Sequence, residues 1–540
     1  MSDETTFSEQ LLVGLTPEQR EAVVSSARRL LVRATAGSGK THVLTLRIQR
    51  RIAEQEVAAD QVLAMTFTRK AGDELRRRLF RAGIRDLRAG TFHRAAMTLV
   101  NQYREDNHLK PLVLEPSRRR LVSALAVQLR QSGDLKLEDW QLPRVEQEIG
   151  WALSQGYNGA LYAKNSRKMR RDTPLPPAQF ADLLDRYVGL CHSRGVLDFD
   201  LLLSEAIALL RDEPNVQAAF RFRNRSLYVD ETQDMNPLQF MLLRQMAGDD
   251  PDLFCVGDPN QSIYGFNGAN PKLLNELIRT WPDTEVLDLT RNHRSTANII
   301  AVANTLLQDG AAGIVPAQNG GEVPMIRAYN TDQEEAEHVA LWLAANHQPG
   351  SPWWSMAVLA RTNAQLELIA GFLDAAGVPN ERRGPEHSPA SDLLTTADAG
   401  ARRMAEEPRD CVALSTIHRA KGLEFQHVAA IGWAEGQLPN YNATSPSELA
   451  EEQRLAYVAL SRAEHSVLMT WSRGRNDPRY PDRAPSRFLA PIEKVIAGIN
   501  AQNAPLTGPA RKARLDAIRR DLEASQAQVA WPHSGNVGTS

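Results

Sequence analysis

The stretch LLVRATAGSGKTHVL, Leu30 to Leu44, decides the fold class of this chain. An apolar run ends at a small loop that contains Gly37 and Gly39, and helical spacing resumes after Lys40 and Thr41. This order is typical of a strand, a phosphate-binding loop and a helix. The glycines let backbone N–H groups turn toward phosphate oxygens, the lysine brings positive charge to the outer phosphates, and the threonine hydroxyl is able to ligate Mg²⁺. The stretch predicts a nucleotide site; the alternative is a glycine-rich loop of structural use.

The composition is that of a globular, multidomain protein. The chain has 540 residues, of which 42% are hydrophobic and 24% are charged, so several domains with sizeable cores are expected. The net charge of −2 at pH 7 conceals local basic clusters at 76–78 and 164–171. These clusters allow a polyanionic partner, but composition alone does not require one.

Two features bear on the compartment. The first ten residues, MSDETTFSEQ, are acidic and polar, unlike a secretory signal, and no run approaches the roughly 20 apolar residues of a membrane span. Cys191, Cys255 and Cys411 are far apart and form no C-x-x-C pair of the kind that binds zinc. We therefore expect a cytoplasmic protein with no membrane partner.

A second motif, SLYVDETQD, supplies the groups that hydrolysis needs. The apolar run Leu227–Val229 predicts a strand, and Asp230 and Glu231 follow at its carboxyl end, where ligands of parallel α/β sheets bind. Asp230 would complete the coordination shell of the metal, and Glu231 would orient and deprotonate water. The alternative is an acidic strand end that faces solvent, which is common on protein surfaces.

A third motif, LFCVGDPNQSIYGFNGAN, also follows a predicted strand. Gln261 is placed to sense the terminal phosphate, and Tyr264 and Phe266 stand among glycines. Aromatic rings on such a loop stack on unpaired bases, which stabilises binding by roughly 1–3 kcal/mol per base without sequence preference. The alternative is that both rings anchor the loop in a core.

These three motifs occur among others in a fixed order. That order is LTPEQREAV, ATAGSGKT, TFTRKAGDELRRRL, GTFHRAA, LDFDLLL, VDETQD, VGDPNQSIYGFNGAN, LTRNHRSTANII, VLARTNAQ, STIHRAKGLEF and RLAYVALSRAEHSV. It resembles that of UvrD, Rep and PcrA, the superfamily 1 DNA helicases, from about Leu15 to Leu489.

The resemblance implies a set of site residues. ATP would lie on the phosphate loop, with Mg²⁺ held by Thr41 and Asp230. The other residues that would bind the nucleotide are Gln19 at the adenine edge, Ala36, Gly37, Ser38, Gly39 and Lys40 at the phosphates, His293 beside the base and Glu424 at the ribose. Glu231, Gln261, Arg294 and Arg462 would be catalytic. Arginine fingers of this kind contribute roughly 10³–10⁵ in rate, although exposed arginines without such motifs are usually solvated surface charges.

The resemblance also implies a track for single-stranded DNA. The residues that match DNA contacts are Phe67, His93, Tyr264, Phe266 and Phe488, and His418 matches a position that couples the DNA and nucleotide sites.

Some residues depart from the family pattern. Ala34 replaces the first glycine of the phosphate loop, His293 replaces a tyrosine that stacks on adenine, and Phe266 replaces a tryptophan while keeping a π-face. Asn267 replaces an arginine, which removes one cationic contact. The histidine leaves selectivity among nucleotide bases open. The loss of the arginine predicts weaker coupling between the DNA and phosphate sites, or coupling through other residues.

Strand and helix patterns predict an α/β fold of two RecA-like parallel-sheet P-loop motor domains, with a helical insertion in the first. The expected boundaries are 1–104 and 196–285 for the two parts of the first domain, 105–195 for the insertion, 286–495 for the second domain and 496–540 for a flexible basic tail. The insertion is basic in places, so it either touches the DNA backbone or presents a solvated face. In the longer relatives a large regulatory domain is inserted into the second motor domain. The stretch 380–410 stands at that place here and is expected to form a loop and a short helix.

Two classes of function follow from the resemblance. The first is an ATP-dependent 3′–5′ translocase or helicase that acts on single-stranded DNA and on junctions of single- and double-stranded DNA, in repair, recombination or replication. The second is a DNA-stimulated regulatory ATPase or a loading subunit of a nuclease or phage-defence complex, without efficient unwinding; a nuclease or a repair factor would be its protein partner. Intact Glu231, Arg294 and Arg462 favour turnover, and therefore the motor.

Overall fold

The computed structural model describes residues 9–134, 137–169, 173–308, 313–382, 409–474 and 482–503, together with 508 and 512. Its strands, in chain order, are β1 (Arg29–Ala34), β2 (Val62–Thr66), β3 (Arg88–Thr91), β4 (Val113–Leu114), β5 (Val196–Leu197), β6 (Ser226–Val229), β7 (Asp252–Gly257), β8 (Glu285–Leu289), β9 (Arg291–Asn292), β10 (Val315–Pro316), β11 (Met325–Thr331), β12 (Met356–Ala360), β13 (Asn380–Arg382), β14 (Val412–Thr416), β15 (Phe425–Ala430) and β16 (Ala463–Gly474).

The helices alternate with these strands in most of the chain. They are α1 (Pro17–Val24), α2 (Lys40–Ala53), α3 (Arg69–Arg81), α4 (Phe92–Asp106), α5 (Arg118–Ser132), α6 (Leu142–Ser154), α7 (Gly159–Met169), α8 (Pro177–Ser193), α9 (Phe199–Asp212), α10 (Pro214–Arg223), α11 (Pro237–Ala247), α12 (Leu273–Thr280), α13 (Ala297–Asn304), α14 (Asp332–Asn346), α15 (Asn363–Ala375), α16 (Ile417–Ala420), α17 (Pro446–Leu460) and α18 (Leu489–Asn503).

The first sheet has the strand order β3-β2-β6-β7-β1-β8, and each neighbouring pair is parallel. Its central strands are apolar on both faces because helices cover both faces, as parallel sheets require. Leu31 of β1 belongs to the core on one face, whereas Leu30 and Val32 belong to the core on the other. The alternation of side chains along a strand thus builds two cores from one apolar run.

The second sheet repeats this plan in the order β11-β16-β15-β12-β14-β13, again with parallel pairs throughout. Val358 of β12 packs on one face, and Ala357 and Leu359 pack on the other. The predicted fold class, two parallel-sheet RecA-like units, is confirmed by these two six-stranded sheets.

Helices α5 to α8 form a separate bundle inserted into the first unit. The short parallel pair of β4 and β5 lies at the base of the bundle, where the chain leaves and re-enters the unit. The bundle has its own apolar core, which includes Ile149, Tyr162 and Phe180. These helices lie inside the predicted insertion 105–195, and the bounds of that insertion stay a prediction.

Two sequence expectations need correction. Residues 380–382, expected at the start of a loop, form β13 because they pair with β14. Residues 496–503, expected in the flexible tail, belong instead to helix α18. The first part of this helix is anchored by the buried side chains of Leu489 and Ile492. Residues 383–408, and the rest of the predicted tail apart from 508 and 512, lie outside the described residues.

The described part of the chain has neither a membrane-spanning helix nor a cluster of metal ligands. No helix there has the length and apolarity needed to cross a membrane. Within the same residues, no group of three or more histidine, cysteine, aspartate or glutamate side chains is arranged to hold a metal ion.

Candidate nucleotide and DNA site

The phosphate loop joins the end of β1 to the start of α2. Gly37 and Gly39 have φ values of 68° and 84°, in the left-handed region that favours glycine. A Cβ on Gly37 would lie 2.5 Å from Nδ2 of Asn292, and a Cβ on Gly39 would lie 2.9 Å from Nε2 of Gln19. Both glycines are therefore needed for conformation and for space, and the loop stands at the N-terminus of α2, which is where an anion site is favoured.

Thr41 and Asp230 meet at the carboxyl end of the first sheet. The Thr41 hydroxyl donates to Oδ2 of Asp230 at 3.1 Å. Burial, and next the charge of Glu231, raises the pKa of Asp230 to about 6. A divalent cation would offset that crowding of negative charge, and hydroxyl and carboxylate oxygens are ligands that Mg²⁺ prefers. The predicted metal ligands are brought together, and their chemistry fits the ion.

Glu231 has an unusual backbone conformation, with φ at 53°. A non-glycine residue in the left-handed region stores strain that is most often found at functional sites. Its carboxylate accepts a 2.5 Å hydrogen bond from Nε2 of Gln233 and lies 3.7 Å from Nζ of Lys421. Burial opposes ionisation, but the charges of Lys40 and Lys421 outweigh it and lower the pKa of Glu231 to about 2. The side chain is thus an ionised carboxylate at the position predicted for the base.

Gln261 and Arg462 connect the two units. Nη2 of Arg462 donates to Oε1 of Gln261 at 3.2 Å, and Nε2 of Gln261 donates to Asp258 at 2.7 Å. Arg462 is 1% exposed, and it also donates to the carbonyl oxygens of Val458 and Leu423. Burial, and next the charge of Arg294, lowers the pKa of Arg462 to about 10, so the side chain stays cationic at neutral pH. A buried guanidinium bonded to neutral oxygens suits an anionic ligand.

Arg294 and Glu424, predicted to bind different parts of the nucleotide, form an ion pair with each other. Arg294 also donates from Nη1 to the Ser461 carbonyl at 3.0 Å. Its Nε is buried and has no hydrogen-bond partner among the described residues. An unpaired buried donor of this kind costs free energy until an acceptor arrives, and a phosphate oxygen is such an acceptor. The assignments of both residues stay predictions.

Gln19 and His293 flank the loop on the predicted base side. Oε1 of Gln19 accepts from the Thr16 N–H at 3.1 Å, and Nε2 donates to the Ser38 carbonyl at 2.9 Å. The amide therefore caps α1 and braces the phosphate loop in this conformation. The His293 side chain is exposed, and its backbone N–H donates to the Gly37 carbonyl at 2.9 Å.

Four rings predicted at the DNA track form what we call the aromatic cluster: Phe67, Tyr264, Phe266 and His418. Phe67 stacks on Tyr264 with centroids 5.1 Å apart, and Phe266 meets Tyr264 at 6.1 Å and His418 at 5.6 Å. Phe266 is 54% exposed, which excludes a core-anchoring role for that ring. The Tyr264 hydroxyl donates to the His418 carbonyl at 3.2 Å, so the cluster spans both units.

The structure does not bring His93 and Phe488 into the aromatic cluster. The His93 ring meets Phe199 edge-on at 5.5 Å, and burial lowers the pKa of His93 to about 4. Phe488 is 8% exposed and packs in the core of the second unit. In this conformation the Phe488 ring is covered by core packing, so it presents little surface to a ligand. DNA contact by either residue stays a prediction.

Three residues that join the site were not singled out from the sequence. Nδ2 of Asn292 donates to the Ala36 carbonyl at 2.7 Å, and the Tyr457 hydroxyl accepts from the Ala36 N–H at 3.3 Å. Nζ of Lys421 donates to Asp234 at 2.5 Å and to the Gln261 carbonyl at 2.6 Å, and it lies 5.3 Å from the centre of the Tyr264 ring. All three lie within sequence motifs quoted above, so membership of those motifs was the sequence feature that could have identified them as site residues.

The fold and the phosphate loop define a P-loop protein of two RecA-like units, with the loop lying where the two units meet. Comparison with known proteins identifies the family. Residues 15–282 match the model of the UvrD/REP helicase N-terminal domain, and residues 287–384 and 391–474 match that of the UvrD-like helicase C-terminal domain. The chain belongs to the UvrD/REP family of helicase enzymes.

Curated relatives agree with this membership. The chain is 30% identical to the ATP-dependent DNA helicase UvrD2 of Mycobacterium tuberculosis (strain ATCC 25618 / H37Rv), over 95% of this chain and 85% of the relative. It is also 30% identical to DNA helicase II of Escherichia coli (strain K12), over 68% of this chain and 51% of that protein.

Proposed function

We propose that the protein hydrolyses ATP to move 3′ to 5′ along single-stranded DNA, and that it acts at junctions of single- and double-stranded DNA in repair, recombination or replication. Membership of the UvrD/REP family supports ATP and DNA as substrates. The direction of movement and the cellular process rest on the family resemblance.

The chemistry assigns a role to each part of the cleft. The phosphate loop at residues 36–41 and the Lys40 ammonium hold the phosphates, and Glu231 orients and deprotonates the attacking water. Thr41 and Asp230 would hold Mg²⁺, which neutralises charge on the phosphate oxygens when it is bound. Arg294 and Arg462 stabilise the charge that develops on the transferred phosphoryl group. Gln19 and His293 contact the base, and Glu424 contacts the ribose.

One observation carries the proposal. A single loop that follows β7 holds Gln261, which meets Arg462, and Tyr264, which meets His418. The second unit thus contacts this loop both at the nucleotide end and at the aromatic end. A change in the cleft on hydrolysis is therefore transmitted to the rings that grip DNA, which is what a translocase requires.

Steady-state ATPase with and without oligo(dT) tests the proposal. We expect hydrolysis that depends on Mg²⁺, is removed by EDTA, and rises at least tenfold with single-stranded DNA but not with blunt duplex. A rate that does not respond to single-stranded DNA contradicts the proposal. Stimulated hydrolysis without movement along DNA would instead support a regulatory ATPase or loading subunit for a partner such as a nuclease.

A further inference from the structure

Helix α17 of the second unit bonds to the backbone of the aromatic loop, SIYGFNG at 262–268, which carries Tyr264 and Phe266. Nε of Arg454 donates to the Ser262 carbonyl at 2.6 Å. The Gly265 N–H, between the two rings, donates to Oε1 of Glu451 at 2.9 Å. The two side chains are three residues apart on the helix and therefore share a face. The second unit thus holds the loop two residues before its first aromatic residue and again between the two.

The neighbouring glutamate has a different task. Glu452 pairs with Arg361 at 2.8 Å and accepts from the Asn440 N–H at 2.9 Å, both within the second unit. Glu451 instead crosses to the first unit. Glu451 is partly buried at this contact, and that burial raises the pKa of its carboxyl group. Its bond to the loop joins a partly buried carboxylate to a backbone N–H, and hydrogen bonds to a charged acceptor are the stronger class.

The close contact between the Glu451 carboxylate and the loop backbone depends on a glycine at position 265. A Cβ built on Gly265 would lie 2.1 Å from Oε2, 3.0 Å from Cδ and 3.2 Å from Oε1, all of Glu451. The backbone of Gly265 is not in the left-handed region, and the three atoms nearest to such a Cβ all belong to this carboxylate. The glycine between the two rings thus makes room for Glu451.

We propose that Glu451 is a positioning residue that ties the second unit to the aromatic loop, so that movement of the cleft sets the presentation of Tyr264 and Phe266 to DNA. The inference rests on the proposed function, since it concerns how DNA and hydrolysis are coupled. Glu451 contacts neither the phosphate loop nor Glu231 in the described structure, so its loss acts on coupling rather than on the chemical step.

The test compares four variants by ATPase titration with oligo(dT). Glu451→Ala should leave ATPase without DNA within about twofold of wild type and raise the oligo(dT) concentration for half-maximal stimulation roughly tenfold, since a charged hydrogen bond is lost. Glu451→Gln keeps an acceptor oxygen and should stay within about threefold of wild type. Gly265→Ala should be more impaired than Glu451→Ala, because its methyl group collides with the carboxylate. The double variant Gly265→Ala/Glu451→Ala should recover to the level of Glu451→Ala.

Glu448→Ala is the matched control, since Glu448 caps the first turn of the same helix and reports general weakening of α17. Three outcomes would overturn the inference. Glu451→Ala could titrate with oligo(dT) like wild type, or the double variant could be more impaired than Gly265→Ala. Glu451→Ala could also lose ATPase equally with and without DNA, to the same degree as Glu448→Ala. If Gly265→Ala does not fold, the comparison of Glu451→Ala with Glu451→Gln decides. A wild-type enzyme without DNA stimulation contradicts the proposed function itself, which separates the two failures.

Discussion

At the scale of single residues, the cleft holds its charged groups close to the points where a nucleotide would need them. Arg462 is buried among neutral oxygens, and Nε of Arg294 is buried without a partner in the described residues. Such arrangements destabilise an empty cleft and favour one filled by an anion. Under the proposed function, the site is thus preorganised for phosphate at the expense of some stability without it.

The first prediction separates binding from hydrolysis. Lys40→Ala removes the positive charge at the phosphates and should weaken nucleotide binding at least tenfold. Glu231→Gln keeps the shape but removes the base, so it should bind nucleotide within about threefold of wild type while turnover falls roughly 10²–10⁴-fold. Binding of a fluorescent ATP analogue and steady-state ATPase measure the two effects. Hydrolysis by Glu231→Gln at the wild-type rate would show that the base is misassigned.

The second prediction concerns Asn292, which was found only in the structure. Its amide braces the phosphate loop at the Ala36 carbonyl and accepts from the N–H groups of Arg294 and Ser295. Asn292→Ala leaves these buried groups unpaired and should lower the free energy of unfolding by about 1–3 kcal/mol. It should also raise KM for ATP several-fold. Thermal denaturation and ATP titration measure the two effects, and unchanged values of both would contradict this role.

At the scale of elements, the ends of the parallel strands explain why the motifs converge. Strands β6, β7 and β1 are neighbours in the first sheet. The phosphate loop follows β1, and the acidic pair Asp230 and Glu231 follows β6. The loop with Gln261 and Tyr264 follows β7. Their carboxyl ends open on the same edge, where α/β proteins bind ligands. Segments distant in sequence thus form one cleft.

The third prediction concerns the loop after β7. Replacing Tyr264 and Phe266 by alanine removes stacking surface but leaves the phosphate site, so DNA-stimulated ATPase should fall at least tenfold while ATPase without DNA changes little. The affinity of the wild type for oligo(dT) should also fall as salt rises, since phosphate contacts release counterions. Equal loss of ATPase with and without DNA, together with a lower Tm, would instead mean that the two rings anchor the loop by packing in the hydrophobic core. Trp354→Ala, at an exposed ring of the second unit, is the control.

The elements that could be predicted from sequence are those with a strong local pattern. The central strands near Leu30, Leu227 and Leu253 are apolar runs, and the phosphate loop has its own signature. Strands β3 and β13 could not be predicted, because RAGT and NER have no strand periodicity and form by pairing with a parallel neighbour. Likewise Asn292 and Tyr457 act through contacts with Ala36, far away in sequence.

At the scale of the whole molecule, two six-stranded units share the cleft and the aromatic cluster, and a helical bundle extends from the first unit. The stretch at the place of the large insertion of longer relatives, 380–410, has 31 residues, fewer than the roughly 50 at which independent domains begin. Most of this stretch lies outside the described residues, so its effect on strand separation is predicted from its length alone.

The fourth prediction follows from that length. A motor without the large insertion lacks a surface that would engage duplex ahead of the junction, so we expect weak strand separation by the protein alone. A single-turnover assay on a 3′-tailed duplex should give little unwinding while DNA-stimulated ATPase remains high. Efficient unwinding by the monomer would show that the insertion is not needed for that step.

The central claim is that hydrolysis drives movement along single-stranded DNA. Displacement of streptavidin from biotinylated oligonucleotides tests it most directly, with biotin at the 5′ end or the 3′ end and with Glu231→Gln as the inactive control. Movement from 3′ to 5′ predicts rapid, ATP-dependent displacement from the 5′ end and none above the control from the 3′ end. Failure to displace streptavidin from either end, despite active DNA-stimulated hydrolysis, would contradict the claim.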